Sequence, residues 1–291
     1  MNYAWYPGCS LHGTGKAYEE SLLVLFKALG VSVEELKDWN CCGSTTYLSV
    51  DELTSYALVA RNLALAAREK KDIVAPCAAC YMVLNKCQHY VEDYPDVRLA
   101  VNRAMEAIGL KYDDRTRVRH PLDVLLNDVG VKAIKARVTR PLKGLKVAPY
   151  YGCQIVRPYA TFDDQANPTS MDKLLEACGA TVVRYSLKTH CCGGSQKGAL
   201  PEVGLDLISY LLTEAKRQGA DVMATVCPLC QFNVEAFQED AANGHPAVSM
   251  PVVYFSQLMG LALGLTGKEV GLKRALVPLE PVLAGKEIAY A

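Results

Sequence analysis

The chain has no net charge: 31 Lys and Arg balance 31 Asp and Glu over 291 residues. No long-range field therefore draws it to nucleic acid or to an anionic membrane, and any charge recognition must be local. A long apolar run is missing too. The longest, Pro251 to Leu265, is broken by Tyr254, Ser256 and Gln257, and it falls short of the roughly 20 apolar residues a bilayer span needs. The opening MNYAWYPGCS has no positive stretch leading into an apolar one, so a cytoplasmic location without a secretory signal is expected. There is no G-x-G-x-x-G after a strand to cradle a flavin or nicotinamide cofactor, and no C-x-x-C-x-x-C-x-x-x-C-P run of the bacterial ferredoxin kind.

What the chain does have is cysteine, twelve in all. In a reducing compartment thiols do not form a disulfide framework, so this abundance points to metal ligation or redox chemistry. Ten of the twelve fall into two copies of one pattern. The first runs Cys9, then Cys41-Cys42-Gly43, then Cys77 and Cys80; the second runs Cys153, then Cys191-Cys192-Gly193, then Cys227 and Cys230. In both copies 34 residues lie between the adjacent pair and the C-x-x-C. The lead segments match as well, Tyr6-Pro7-Gly8-Cys9 against Tyr150-Tyr151-Gly152-Cys153. The chain reads as a tandem duplication. Cys87 and Cys178 have no counterpart in the other copy and are expected to be buried structural thiols.

Hydrophobic periodicity gives both copies the same order of elements. In the first, strands are predicted at Tyr3–Tyr6, Val31–Leu36 and Ile73–Ala75. Helices are predicted at Tyr18–Leu29, closed by Gly30, and at Asp51–Glu69, where Asp51 is placed as an N-terminal acid. In the second, strands at Lys146–Tyr150, Thr181–Tyr185 and Val222–Val226 alternate with helices at Met171–Ala177 and Val203–Gln218. Alternation of this kind implies parallel α/β packing, with each cysteine segment in a loop after a strand, where open α/β sheets place their ligands. The expected fold is therefore α/β, a tandem duplication of one domain with parallel strands and flanking helices, the two related by a pseudo-twofold axis. The first domain would span 1–141, including a helical connector with helices at Leu99–Ile108 and Pro121–Asp128 and a basic run at Arg115–Arg119; the second would span 142–291. The stretch Val252–Leu265 reads as a core helix, with a docking surface as the alternative.

A structural zinc ion takes four ligands, and five thiolates per copy exceed that number. A cluster of several iron atoms accommodates the fifth. Adjacent cysteines reach one site only where the backbone turns sharply, which Gly43, and Gly193 with Gly194, permit while bringing backbone N–H groups toward sulfur. The ten candidate ligands are Cys9, Cys41, Cys42, Cys77, Cys80, Cys153, Cys191, Cys192, Cys227 and Cys230.

The paired C … C-C-G … C-x-x-C motifs resemble those of the CCG-domain iron–sulfur family. The words Tyr6-Pro7-Gly8-Cys9-Ser10-Leu11-His12-Gly13, Asp38-Trp39-Asn40-Cys41-Cys42-Gly43, Ala60-Arg61-Asn62-Leu63 and Tyr151-Gly152-Cys153 are similar to those of the B subunit of heterodisulfide reductase. That resemblance implies two noncubane [4Fe-4S] clusters, each on the five cysteines of one copy. It also implies reduction of the coenzyme M–coenzyme B disulfide to two thiols in methanogenesis. The partners it implies are the ferredoxin-like C subunit, together with the flavin-containing, iron–sulfur A subunit, joined to a hydrogenase or formate dehydrogenase in an electron-bifurcating complex. Disulfide reduction takes two electrons, and two clusters facing a shared pocket at the pseudo-twofold interface would supply one each.

The implied products are anionic, so nearby cations are expected to hold them. Lys188, Lys197, Arg157 and His12 flank the cysteine loops, and His190 is the candidate proton donor because histidine titrates near neutrality. His89, His120 and His245 have no assigned role. Two other readings stand beside this one. One is an electron conduit of the kind found with lactate, glycolate, glycerol-phosphate or succinate oxidation; the other is a zinc-stabilised interaction scaffold.

Overall fold

The computed structural model describes residues 1–112 and 115–291. Its first half builds a parallel sheet from β1 (Asn2–Trp5), β2 (Ser32–Glu35), β3 (Ile73–Val74) and β4 (Val118–Arg119), in the order β2-β1-β3-β4. The second half builds another from β5 (Lys146–Tyr150), β6 (Thr181–Val182), β7 (Val222–Thr225) and β8 (Val252–Tyr254), in the order β6-β5-β7-β8. Every pairing in both sheets is parallel. Because the two orders correspond strand for strand, the duplication read from the cysteines extends to the topology.

Parallel neighbours need long crossovers, and helices supply them. Lys16–Leu29 buries Tyr18, Leu22, Leu25, Phe26 and Leu29 along one stripe and ends at Gly30, whose φ of 75° is the left-handed conformation that stops a helix. Glu52–Arg68 starts where the Asp51 carboxylate accepts a hydrogen bond from the Thr54 amide at 3.0 Å. Its counterpart, Pro201–Arg217, starts on a proline, whose missing N–H costs nothing in the first turn.

The fourth strand of each sheet lies outside the expected set. β4 falls inside the basic run and is too short to show a period, and β8 is hidden in the apolar stretch after Pro251. The strand expected at Thr181–Tyr185 stops at Val182, beyond which the Tyr185 hydroxyl donates to the Leu211 carbonyl at 3.0 Å. The connector helix expected at Leu99–Ile108 forms over Pro95–Ala107, beginning a turn earlier on a proline. The helix expected at Pro121–Asp128 runs on to Ala136, passing through a π-helical stretch at Val124–Gly130. After β8 every residue of Phe255–Ala262 is buried, which makes it a core helix and not a docking surface.

The helix after each fourth strand packs on the other half. Phe255–Ala262 lies against Lys16–Leu29, and the helical run after β4 lies against Ser170–Ala177. Two ring pairs mark this exchange. Tyr254, at the end of β8, stacks on Tyr18 with centroids 4.3 Å apart, and His120, just after β4, lies parallel to Phe162 at 6.2 Å. Beside the first pair the buried Ser21 and Ser256 hydroxyls meet at 2.7 Å. Trp5, Leu22 and Phe26 of one half thus share a single core with Leu174, Leu258 and Met259 of the other. A ring pair of this kind contributes about 0.5–1.5 kcal/mol beyond its buried area, so the halves are held in one fixed relation, and with them the cysteine loops.

Candidate metal centre

All twelve cysteines are free thiols. In the first half Cys42, Cys77 and Cys80 are buried while Cys9 and Cys41 are exposed; in the second Cys192, Cys227 and Cys230 are buried, Cys191 is exposed and Cys153 is half-buried. Each half therefore keeps three sulfurs inside and presents an edge toward water.

Backbone geometry sets this arrangement. Gly8, with φ of 62°, is so close to the Cys80 sulfur that a Cβ would come to 3.0 Å from it; Gly152, with φ of 69°, stands in the same relation to Cys230 at 3.1 Å. Only glycine combines that conformation with that approach. The adjacent pairs turn as expected. Gly43 N–H donates to the Cys41 sulfur at 3.4 Å and Ser44 N–H to Cys42 at 3.4 Å; Gly193 and Gly194 donate to Cys191 and Cys192 at 3.3 and 3.4 Å.

Two tyrosines fasten these turns to the strands. The Tyr6 hydroxyl donates to the Asn40 carbonyl at 2.8 Å and the Tyr150 hydroxyl to the His190 carbonyl at 2.7 Å, in each case to the residue just before the cysteine pair. Their role was open to view in the matching lead segments, where the tyrosine stands three residues before the cysteine in both. His120 also serves the site. It is fully buried, accepts from Leu122 N–H through Nδ1 at 3.1 Å and meets the Pro76 carbonyl through Nε2 at 3.0 Å, so it holds the residue before Cys77. Burial lowers its pKa to about 4, which keeps the ring neutral.

The sulfurs form a continuous series. Cys42 and Cys80 meet at 3.2 Å; Cys41 neighbours Cys42, and Cys77 neighbours Cys80. In the second half Cys153, Cys191, Cys192, Cys230 and Cys227 follow one another in the same way. At the axis the two series join, for the Cys77 and Cys227 thiols lie side by side. Hydrogen bonds from neighbouring thiols favour the thiolate at Cys42 and Cys77 in the first half and at Cys191 in the second. Cys42 is lowered to about 4 by Cys41 and Cys80, and Cys191 to about 2 by Cys153 and Cys192. Cys87 and Cys178 lie outside the series, and burial lifts both to about 12, as befits neutral packing thiols.

This donor set suits iron–sulfur clusters better than single ions. Each half offers five thiols, one more than a single tetrahedral ion takes, with backbone N–H groups aimed at sulfur to offset negative charge. Near the axis, beside Cys227 and Cys77, the Tyr18 hydroxyl is buried without a hydrogen-bond partner among the described residues, a donor suited to thiolate or sulfide. The residues present fit the group.

The polar candidates separate on inspection. Lys188 does not reach outward. It is buried, its ammonium is held by the Pro168 carbonyl and by Asp172 at 3.3 Å, and its own carbonyl accepts from Tyr151 and Gly152. A buried cation must be paired inside the protein, so Lys188 positions the Cys153 loop and is not a substrate contact. His12 packs edge-on to Trp39, 3.7 Å from Glu19 and 3.8 Å from Glu35. Arg157 is exposed and donates to the Thr189 carbonyl and hydroxyl and the Gln165 carbonyl, each at 3.3 Å. Lys197 lies 4.2 Å over the Phe237 ring. His190 is exposed beside Cys191. The axis is filled by packed residues and is not an open shared pocket: Cys77 and Cys227 are 3% and 2% exposed, and Gly15 packs against Pro228.

A duplicated parallel α/β fold with five thiols at the strand ends of each half defines a class of cysteine-rich redox proteins. The family model of the CCG cysteine-rich domain matches residues 3–85 and 147–235, and the chain belongs to that family. Over 278 residues it is 31% identical to the 8-methylmenaquinol:fumarate reductase membrane anchor subunit of Wolinella succinogenes, covering 94% of this chain and 96% of that one. It is 30% identical to the B subunit of the ferredoxin/F(420)H(2)-dependent CoB-CoM heterodisulfide reductase of Methanosarcina acetivorans, covering 92% and 91%. A protein of Archaeoglobus profundus described as like the heterodisulfide reductase B subunit is also 30% identical, covering 93% of each chain. A crystal structure of a hypothetical protein from Helicobacter pylori has the same fold, with a TM-score of 0.76 at 12% identity over 95% of this chain; the chain spans 52% of that one. Among the described residues no helix is long and apolar enough to cross a membrane.

Proposed function

We propose that this chain is the catalytic subunit of a heterodisulfide reductase, which reduces the coenzyme M–coenzyme B disulfide to two thiols. Each half, 1–141 and 142–291, would hold one [4Fe-4S] cluster of the noncubane kind on its five cysteines. The observation that carries the reading is the pair of equivalent five-thiol centres, joined at the axis and each with an edge toward solvent. When bound, the clusters supply one electron apiece, and the two electrons with two protons convert one S–S bond into two S–H groups.

The chain's own residues would do the rest. Gly8 and Gly152 admit the sulfurs, the turn amides stabilise their charge, and Tyr6 and Tyr150 keep the turns in place. His190 stands where it would protonate a departing thiolate, and Lys197 and Arg157 lack acidic partners among the described residues, so their charge is free for anionic ends of the substrate. His12, set between two carboxylates, would be the weakest of these contacts. Electrons would come through the C subunit together with the flavin-bearing A subunit, from a hydrogenase or formate dehydrogenase, in a cytoplasmic complex.

A second reading is favoured by the likeness to the Wolinella protein: an electron relay to a fumarate- or succinate-type partner, with chemistry performed elsewhere. EPR of anaerobically purified protein separates the two. A new paramagnetic signal on adding either coenzyme thiol to the oxidised protein supports the reductase, and a spectrum that responds to reductant but not to thiol supports the relay.

A further inference from the structure

The two halves differ in two places. The helices Glu52–Arg68 and Pro201–Arg217, of 17 residues each, set Arg61 opposite Tyr210. Arg61 donates to Asn40 Oδ1 at 3.1 Å and laces its half to the cysteine turn, whereas Tyr210 lines an open groove with Leu211 and His190. The second difference is buried. Five residues past the last cysteine of the C-x-x-C the first half has Asn85, whose Nδ2 donates to the Tyr81 carbonyl at 2.8 Å, and the second has Glu235. Both side chains are buried, and of the two only Glu235 can take up or release a proton.

Glu235 stands between water and the sulfurs. On its outer side it lines a cavity of about 510 Å³ with Gln238, Glu239, Ser249 and Val277. On its inner side Gln231 Nε2 donates to Glu235 Oε2 at 2.7 Å, and the Tyr254 hydroxyl donates to Gln231 Oε1 at 3.4 Å. Tyr254 lies beside Cys227 and Cys77, where the two series of thiols join. The other donors to the carboxyl are backbone amides, Val277 N–H at 3.2 Å and Leu276 N–H. The titratable groups that face it are Tyr254 from β8, the exposed Glu239 across the cavity and, beyond Tyr254, the Cys227 and Cys77 thiols. Burial raises its pKa above the usual carboxylate value against the pull of the amide donors.

We propose that Glu235 is the redox-linked proton site of the second half. Its carboxylate takes one proton from water in the cavity for each electron that a one-electron donor delivers to the cluster held by Cys227 and Cys230, and returns the proton to water when the electron leaves. This rests on the two-cluster reading above and adds to it a difference between the halves. Negative charge arriving at the Cys227 end is felt at the carboxyl across a short, dry chain of polar groups, and one proton at Glu235 offsets it. Asn85 cannot do the same for the first half.

The test is a dithionite redox titration followed by EPR, from about pH 6 to pH 9, on anaerobically purified, iron-loaded protein. Cys42→Ala isolates the second-half cluster and Cys192→Ala the first. The midpoint is expected to fall with rising pH in Cys42→Ala, by up to about 59 mV for each tenfold drop in proton concentration, and to stay level in Cys192→Ala. Adding Glu235→Gln to Cys42→Ala should hold the midpoint level at its low-pH value. An unchanged slope with Glu235→Gln, or a slope that belongs to the first half, would overturn the proposal. Infrared difference spectra of the wild type need no variant: reduction should add a carboxyl C=O band that shifts in D2O, and its absence would overturn the proposal as well. Failure to reduce the coenzyme disulfide, with the pH-dependent midpoint intact, would remove the function and support Glu235, whereas a second half without a cluster would remove both.

Discussion

The two halves of the molecule hold their sulfurs alike and hold their surroundings differently. Both place a glycine against the last cysteine of the C-x-x-C, both tie the residue before the cysteine pair to a tyrosine hydroxyl, and both aim turn amides at sulfur. Around these shared parts the first half is laced by Arg61, Asn62 and Asn40, whereas the second is lined by Tyr210, Leu211 and His190. At the exchanged helices the first half offers His120 where the second offers Tyr254. On the function proposed, the geometry common to both copies would hold a cluster, and the geometry present in one would serve what that cluster meets.

The harshest way to break this comparison is at the shared glycines. Gly8→Ala puts a methyl 3.0 Å from the Cys80 sulfur in a conformation that side chains disfavour, and Gly152→Ala does the same to Cys230. Each is expected to remove the cluster of its own half while sparing the other, read as a loss of about half the bound iron. Loss of all iron from either variant would mean that the halves do not assemble independently.

Next in size is the response to acid, to which His120 of the first half should contribute. His120 is neutral in the folded protein with its pKa lowered to about 4, against about 6.5 when unfolded. The unfolded state therefore binds the extra proton between these values. The His120 contribution to stability is complete above about pH 6.5 and falls by about 1.4 kcal/mol per pH unit as pH drops toward 4. Anaerobic denaturant titrations at pH 7.5 and 5 should show this slope in wild type and in Tyr254→Phe, and a flatter one in His120→Gln. An unchanged slope in His120→Gln would place the acid sensitivity elsewhere.

The smallest expected effect concerns the lacing. Arg61→Ala removes a charge-assisted hydrogen bond from a partly buried network and should destabilise by about 1 kcal/mol. Tyr210→Ala, at the corresponding exposed position, should stay within about 0.5 kcal/mol. Thermal unfolding of the two variants ranks them, and a larger effect at Tyr210 would reverse the assignment of locked and open halves.

Much of this was legible in the chain. Cysteine spacing disclosed the duplication because ligand geometry tolerates little drift, and the strand-and-helix order followed from apolar periods long enough to count. The fourth strands left no such trace, for opposite reasons: β4 has two residues, one of them charged, and β8 runs without a break into a buried helix, so neither shows a period of two. Lys188 misleads because proximity in sequence to Cys191 does not reveal a carboxylate contributed by Asp172 from the helix Ser170–Ala177. The exchange of helices between halves has no local signature, since a buried stripe looks the same whichever half covers it.

The central claim is that each half carries its own iron–sulfur cluster on five thiolates. Iron and acid-labile sulfide determined on oxygen-free protein, wild type beside Cys42→Ala and Cys192→Ala, test it most directly. The account predicts about eight iron and eight sulfide per wild-type chain, for two four-iron clusters, and about half as much in each variant. Zinc in place of iron, or a fully loaded wild type holding only one cluster, would contradict it.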